Sequence, residues 1–242
     1  LTYTFQGKKF SIEDFIETFK VAGLIVVRDG VILFEDYNFG NSESTQWVSF
    51  SVTKSVTSML LGAAIQDGFI MSVEDKVTTY LPQLINSKYK NVSIKEVLHM
   101  SSGIDWNEDY TDPSSDVNIA GAMNSLTLYR YLNTLDTAAS PGTKFNYNTG
   151  ETNLLGGIVR SAIGNSLSSY LEQKIWKSFG MEFDAYWAID SEFEQELGGC
   201  CINATLRDYA RIGIFAMDKG KLSNGTRILP KNWMTDSTTP SK

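Results

Sequence analysis

Between Lys54 and Asp67 the chain carries no charge, and the polar residues of Ser55–Gln66 are mostly small hydroxyls. A helix with that composition has to be buried on most of its sides, so other elements must cover it. The pair Asp67-Gly68 predicts its end, because glycine takes the left-handed conformation that stops a helix. Lys54 is the anomaly, a charged amine in the first turn of a buried helix. Ser51 lies three residues earlier, on the same helical face. The partial positive charge of the helix N-terminus, together with burial, disfavours an ammonium there. A Lys54 amine freed of its proton could take one from Ser51 and make it a nucleophile. The string Ser-x-x-Lys proves little alone, since Ser87-Lys88-Tyr89-Lys90 repeats it in a polar stretch with no apolar helix behind it. The second copy is assigned no function.

The 242 residues can bury a substantial core. No apolar run approaches the ~20 residues of a bilayer span. A net charge of −7 and the lack of a basic, aromatic-interleaved cluster give no support for nucleic-acid binding. One histidine and two adjacent cysteines make a zinc site improbable. Cys200 and Cys201 are expected to be packed thiols, because sequence neighbours rarely form a relaxed disulfide. No metal or cofactor is expected. The chain opens on Leu1 rather than Met, so removal of an N-terminal piece is expected.

In chain order, Ser11-Ile12-Glu13-Asp14 predicts a capped helix. Leu24–Arg28 and Val31–Glu35 flank Asp29-Gly30, the clearest hairpin signal in the chain. After residue 35 no long strand run follows, so the sheet looks unfinished. Capped helices are predicted after Ser72 (ending at Leu81-Pro82), Ser93 and Thr205, with further helices at 126–135, 150–163 and 167–176. Residues 104–118 read as a polar loop with Trp106, Glu108, Asp109 and Tyr110. That loop is expected to be a solvated lip; alternatively it recognises an amine-bearing substrate, with Trp106 as an acyl-pocket wall. The Asp208 and Arg211 neighbourhood reads as helix surface. His99, in Leu-His-x-x-Ser-Gly, reads as a turn brace rather than a base, and no Gly-x-Ser-x-Gly elbow exists for it to serve.

Tyr147 sits where Pro141-Gly142-Thr143 leads into an apolar helix, a place where a tyrosine usually only packs. Taken together, the Ser51–Ser58 stretch, Leu98–Gly103, Pro-Gly-Thr with Tyr147 four residues on, and Leu154-Leu155-Gly156 resemble the serine β-lactamase-like hydrolases. The likeness is to class C β-lactamases, family VIII carboxylesterases and 6-aminohexanoate-dimer hydrolases, and it runs from about residue 21 onward. The resemblance implies an α/β (α+β) fold, an antiparallel sheet flanked by helices with an inserted all-helical domain. It places residues 1–68 and 177–242 in the α/β part and 69–176 in the helical part. It also implies that Ser51 is the acylated nucleophile, Lys54 its proton acceptor and Tyr147 the tyrosine of a Tyr-x-Asn motif. A lysine beside a phenol can share one proton, and the Ser51 N–H suits half of an oxyanion hole.

Two departures from the family pattern shape the expectation. Thr149 replaces the Asn that in β-lactamases helps hold the substrate amide, which favours small esters or simple amides. The third motif, Lys-Thr-Gly or a His-containing counterpart, is not found before Lys242. A C-terminal segment or a second chain is therefore expected to complete the sheet. The expected activity is acyl-enzyme hydrolysis of a small ester or amide. The alternatives are a β-lactamase or D-Ala-D-Ala peptidase, and a catalytically silent sensor.

Overall fold

The computed structural model describes residues 2–190 and 192–240. The chain opens with a hairpin, β1 (Thr2–Phe5) and β2 (Lys8–Ser11), turning at Gln6-Gly7, followed by α1 (Ile12–Phe19). The capping box expected at Ser11 is present: its hydroxyl accepts from Asp14 N–H and the Asp14 carboxylate accepts from Ser11 N–H. β3 (Gly23–Arg28) and β4 (Val31–Tyr37) form the predicted hairpin, with Asp29 and Gly30 both at positive φ as its turn requires.

β5 (Gln46–Val48) leads into α2 (Val52–Gln66), the uncharged helix. Nine of its residues are buried: Thr53, Val56, Thr57 and Met59–Ala64. Four short helices come next, α3 (Val77–Tyr80), α4 (Ile94–Leu98), α5 (Asp116–Gly121) and α6 (Ser125–Leu132). Two sequence boundaries shift here. The Ser72 motif makes a turn instead of opening α3, because Ser72 N–H and the Tyr80 hydroxyl both donate to the Asp75 carboxylate. The end of the polar loop winds into α5, capped by Ser115.

α7 (Thr149–Ile163) is the second long helix and packs against α2. α8 (Leu167–Leu171) runs on through a π-helical turn, Glu172–Trp176, into α9 (Lys177–Phe179). β6 (Tyr186–Trp187), β7 (Ile202–Thr205), α10 (Leu206–Met217) and α11 (Trp233–Ser237) complete the described elements. β7 lies between β5 and β6, antiparallel to both. These strands are two to four residues long, too short for period-two alternation to reveal them. Strands are therefore present after residue 35, grouped in small antiparallel sheets. One buried core runs from α2 and α7 through Leu128, Leu132, Leu167 and Ile175 to Ile202 and Phe215. No helix among the described residues is long and apolar enough to cross a membrane.

Two sequence expectations need correction. Asp208 is fully buried, not on a surface. It accepts from Glu182 N–H (2.7 Å), Phe183 N–H (3.0 Å) and the Thr205 hydroxyl (2.9 Å), and pairs with Arg211 (3.1 Å). It thus anchors the segment before β6 to the start of α10. The cysteines are also not free thiols: Cys200 and Cys201 are joined as a disulfide. Cys201 has a φ of 80°, the turn that lets adjacent side chains meet.

Glu151, in the first turn of α7, is 1% exposed, and its Oε2 has no partner among the described residues. Tyr89 donates to its Oε1. Burial lifts the carboxyl from an ordinary 4.5 to about 8. The folded chain thus keeps a proton that the unfolded chain releases at neutral pH. Stability from this group is full below about pH 4.5, falls as pH rises toward 8, and levels off beyond. Glu151→Gln should raise the unfolding free energy at pH 8 by about 2–4 kcal/mol and change little at pH 5, read by denaturant titration at both values. An equal effect at the two pH values would refute the buried neutral acid. Asp208→Ala should cost about 3 kcal/mol, by leaving the Glu182 and Phe183 N–H groups without their acceptor and Arg211 with Glu182 as its one remaining carboxylate. Glu74→Ala, which breaks only the exposed pair with Lys95, should cost under ~0.5 kcal/mol.

Candidate active site

Ser51 stands at the mouth of α2, just after Phe50, whose φ of 45° is a left-handed conformation that a bulky residue adopts only under constraint. The turn leaves Ser51, the N-cap residue of α2, with an exposed side chain that makes no cap hydrogen bond. Its N–H has no acceptor among the described residues. Lys54 Nζ lies 3.0 Å from Ser51 Oγ and donates to Gly199 O at 2.9 Å. The Tyr147 ring centroid is 5.2 Å from the same Nζ. Lys54 is half-buried rather than sealed from solvent. The three residues singled out in the sequence therefore come together, although Ser51 and Tyr147 are far apart in the chain.

The second Ser-x-x-Lys string shows how much context matters. Ser87 caps a 3₁₀ turn, accepting from Tyr89 N–H and donating to Leu84 O. No hydrogen bond joins Ser87 to Lys90 among the described residues, and Lys90 is exposed.

Lys54 is held by a clamp of two helices on one glycine pair. Thr57 on α2 donates to Gly198 O at 2.6 Å, and Asn153 on α7 accepts from Gly199 N–H at 2.8 Å. A side chain at Gly198 would strike Thr152 O, so only glycine lets this segment lie on α7. Thr53 accepts from Ile202 N–H at 3.1 Å, which continues the seam into β7. The hydroxyls of α2 are thus the helix's attachment points to residues 198–202.

Ser51 and Lys54 open onto a cleft of about 540 Å³, lined also by Trp106, Tyr110, Asn153, Thr149 and Gly199. Trp106 is 5% exposed and its ring lies against Gly150, where a Cβ would meet it at 2.8 Å. Thr149 and Trp106 are joined through Glu108, a residue the sequence left without a role. The Glu108 carboxylate accepts from the Trp106 indole N–H, the Tyr110 hydroxyl (2.8 Å), Thr149 N–H (3.0 Å) and the Thr149 hydroxyl. With four donors filling its lone pairs, Glu108 ties the loop to the start of α7. Trp106, Tyr110 and Thr149 are thereby fixed as cleft walls, while Asp105, Asn107, Asp109 and Tyr110 stay exposed, so the loop is a solvated lip held in place at Glu108. Asn153, four residues past Thr149, could have been found as its neighbour on the helix face. Gly199 carried no such signal.

His99 lies elsewhere. Its backbone N–H closes the end of α4 on Lys95 O, and its side chain lines a separate groove with Phe145 and Trp233.

Comparison with known proteins follows this geometry. The family model described as Beta-lactamase matches residues 12–242. The 6-aminohexanoate-dimer hydrolase of Paenarthrobacter ureafaciens is 30% identical over 233 residues, covering 92% of this chain and 58% of that protein. A provisionally named 6-aminohexanoate-dimer hydrolase from Bacillus anthracis superposes with a TM-score of 0.83 at 26% identity, over 95% of this chain and 62% of that one. A class C β-lactamase from Rhodobacter sphaeroides gives 0.69 at 15% identity, over 93% and 68%, a likeness of fold alone. The chain thus spans roughly three fifths of the length of its first relatives. With its family model matched almost end to end and its fold shared, the chain belongs to the Beta-lactamase family and has the serine hydrolase fold of that family.

Proposed function

We propose that this chain carries the nucleophile of a serine hydrolase that cleaves small esters or amides through an acyl-enzyme on Ser51. The observation that carries the reading is the 3.0 Å contact between Lys54 Nζ and Ser51 Oγ, made at the mouth of a cleft with the Tyr147 ring against the same amine. In this reading Ser51 Oγ attacks the substrate carbonyl carbon and its proton passes to the Lys54–Tyr147 pair. The proton then goes to the leaving alcohol or amine as the C–O or C–N bond breaks. Water attacks the acyl-enzyme, returns a proton through the same pair to Ser51, and releases the acid. The unengaged Ser51 N–H is suited to one of the hydrogen bonds to the developing oxyanion.

Thr149 bears on the substrate class. Its hydroxyl is taken up by Glu108, so it does not offer the cleft the free amide that an Asn would. That favours esters and simple amides over β-lactams.

In the full-length protein a p-nitrophenyl ester of a short acid should be turned over and leave an acyl adduct whose mass maps to Ser51. Ser51→Ala should abolish both. An intact ester with no adduct, or hydrolysis that persists in Ser51→Ala, would overturn the reading.

A further inference from the structure

The cleft does not end at the nucleophile. It continues past Met123 and Leu128 to Tyr129, Arg160 and Glu196. Thr149, Asn153 and Arg160 are spaced four and seven residues apart, so one face of α7 forms its wall. Arg160 lies about 10 Å beyond Asn153 along the helix.

Arg160 is only 13% exposed. Its Nη1 donates to Glu196 O at 2.9 Å and faces Glu196 Oε2 at 3.5 Å. Among the described residues Nε and Nη2 reach no carboxylate or backbone carbonyl, and the guanidinium is within hydrogen-bond reach of the Tyr129 hydroxyl. The Tyr129 hydroxyl lies beside the guanidinium and likewise donates to no acceptor among them. It can approach α7 because residue 157 is glycine, where any Cβ would collide with it. The neighbouring acids are already committed. Glu196 Oε1 accepts from Ser168 N–H at 2.8 Å, and Asp190 accepts from Ser125 and from Glu192 and Phe193 N–H. The Arg160 guanidinium and the Tyr129 hydroxyl both line the cleft, so their N–H and O–H donors are open to an acceptor carried by a ligand.

The geometry points to a substrate whose acyl chain ends in a carboxylate, taken side-on by Arg160 Nε and Nη2 with the Tyr129 hydroxyl beside them. The acyl half is assigned to this cleft because Tyr147, the proposed proton donor to the leaving group, is not among its lining residues. The inference rests on the proposed acyl-enzyme chemistry and names its substrate class: half-esters or half-amides of medium-length dicarboxylic acids. It sets this cleft apart from one that selects an amine-bearing acyl chain.

The test compares kcat/KM of the full-length protein for mono-p-nitrophenyl adipate and for p-nitrophenyl hexanoate, chains of equal length that differ in the terminal carboxylate. A preference of about 10- to 100-fold for the adipate is expected, the strength of hydrogen bonds to a charged group. It should collapse toward unity in Arg160→Met and shrink in Tyr129→Phe, which removes one hydroxyl and leaves the ion pair in place. Equal use of both esters, or a preference for the hexanoate, would overturn the inference. If neither ester acylates Ser51, the proposed function fails and the cleft is judged by calorimetry with adipate alone. Binding that Tyr129→Phe weakens supports the site; no binding by the wild-type protein refutes it.

Discussion

Gly198 and Gly199 lie between the two long helices, with three of their four backbone polar groups engaged: Thr57 on Gly198 O, Asn153 on Gly199 N–H, Lys54 on Gly199 O. That seam fixes where the Lys54 amine can be. A lysine side chain has several rotatable bonds and loses substantial entropy when held; here a carbonyl and a serine hydroxyl, both set by α2 and the seam, hold it at 2.9 and 3.0 Å. The same seam brings α7 alongside, and with it the Tyr147 ring, Thr149 and the wall that runs to Arg160. Without the glycine pair α7 would be forced outward by the Thr152 carbonyl, and the cleft would have no second side.

The sequence made the local parts legible and the long-range ones only through resemblance. α2 was readable because an uncharged run around Gly62 has no alternative to burial. Gly62 is needed there, since any Cβ would meet the Trp233 ring at 2.7 Å. The β3–β4 hairpin and the caps at Ser11, Ser93 and Thr205 were readable because their signals are contained within a few residues. β5, β6 and β7 were not, since each is fixed by pairing with a distant segment: Trp47 opposite Ala204, Tyr186 opposite Asn203. Asp208 was misread for the same reason. Its partners Glu182 and Phe183 are more than twenty residues away, and a buried aspartate looks like a surface one until they are seen.

At the candidate site, Ser51 and Lys54 could be paired by helical spacing, whereas Tyr147 alone would have passed for packing. Glu108 was visible as an acid in a polar loop, but nothing local predicted that it would accept from Trp106, Tyr110 and Thr149 together. Its saturation changes the character of the entrance, because a carboxylate with four donors offers little to a substrate cation. Charge available to a ligand lies instead at the far end, where Arg160 keeps donors in reserve. In the proposed reading one end of the cleft carries the chemistry and the other the recognition.

The central claim is that Lys54 acts on the Ser51 hydroxyl and is not merely a cation that happens to rest near it. Lys54→Arg separates the two, since arginine keeps the charge and can still donate to Gly199 O but cannot take a proton. The measurement is the rate at which a fluorophosphonate labels Ser51, followed by intact mass, in wild-type and Lys54→Arg protein of matched melting temperature. A loss of about 100-fold or more is predicted, the scale of a positioned proton acceptor. Labelling within threefold of wild-type would contradict the account.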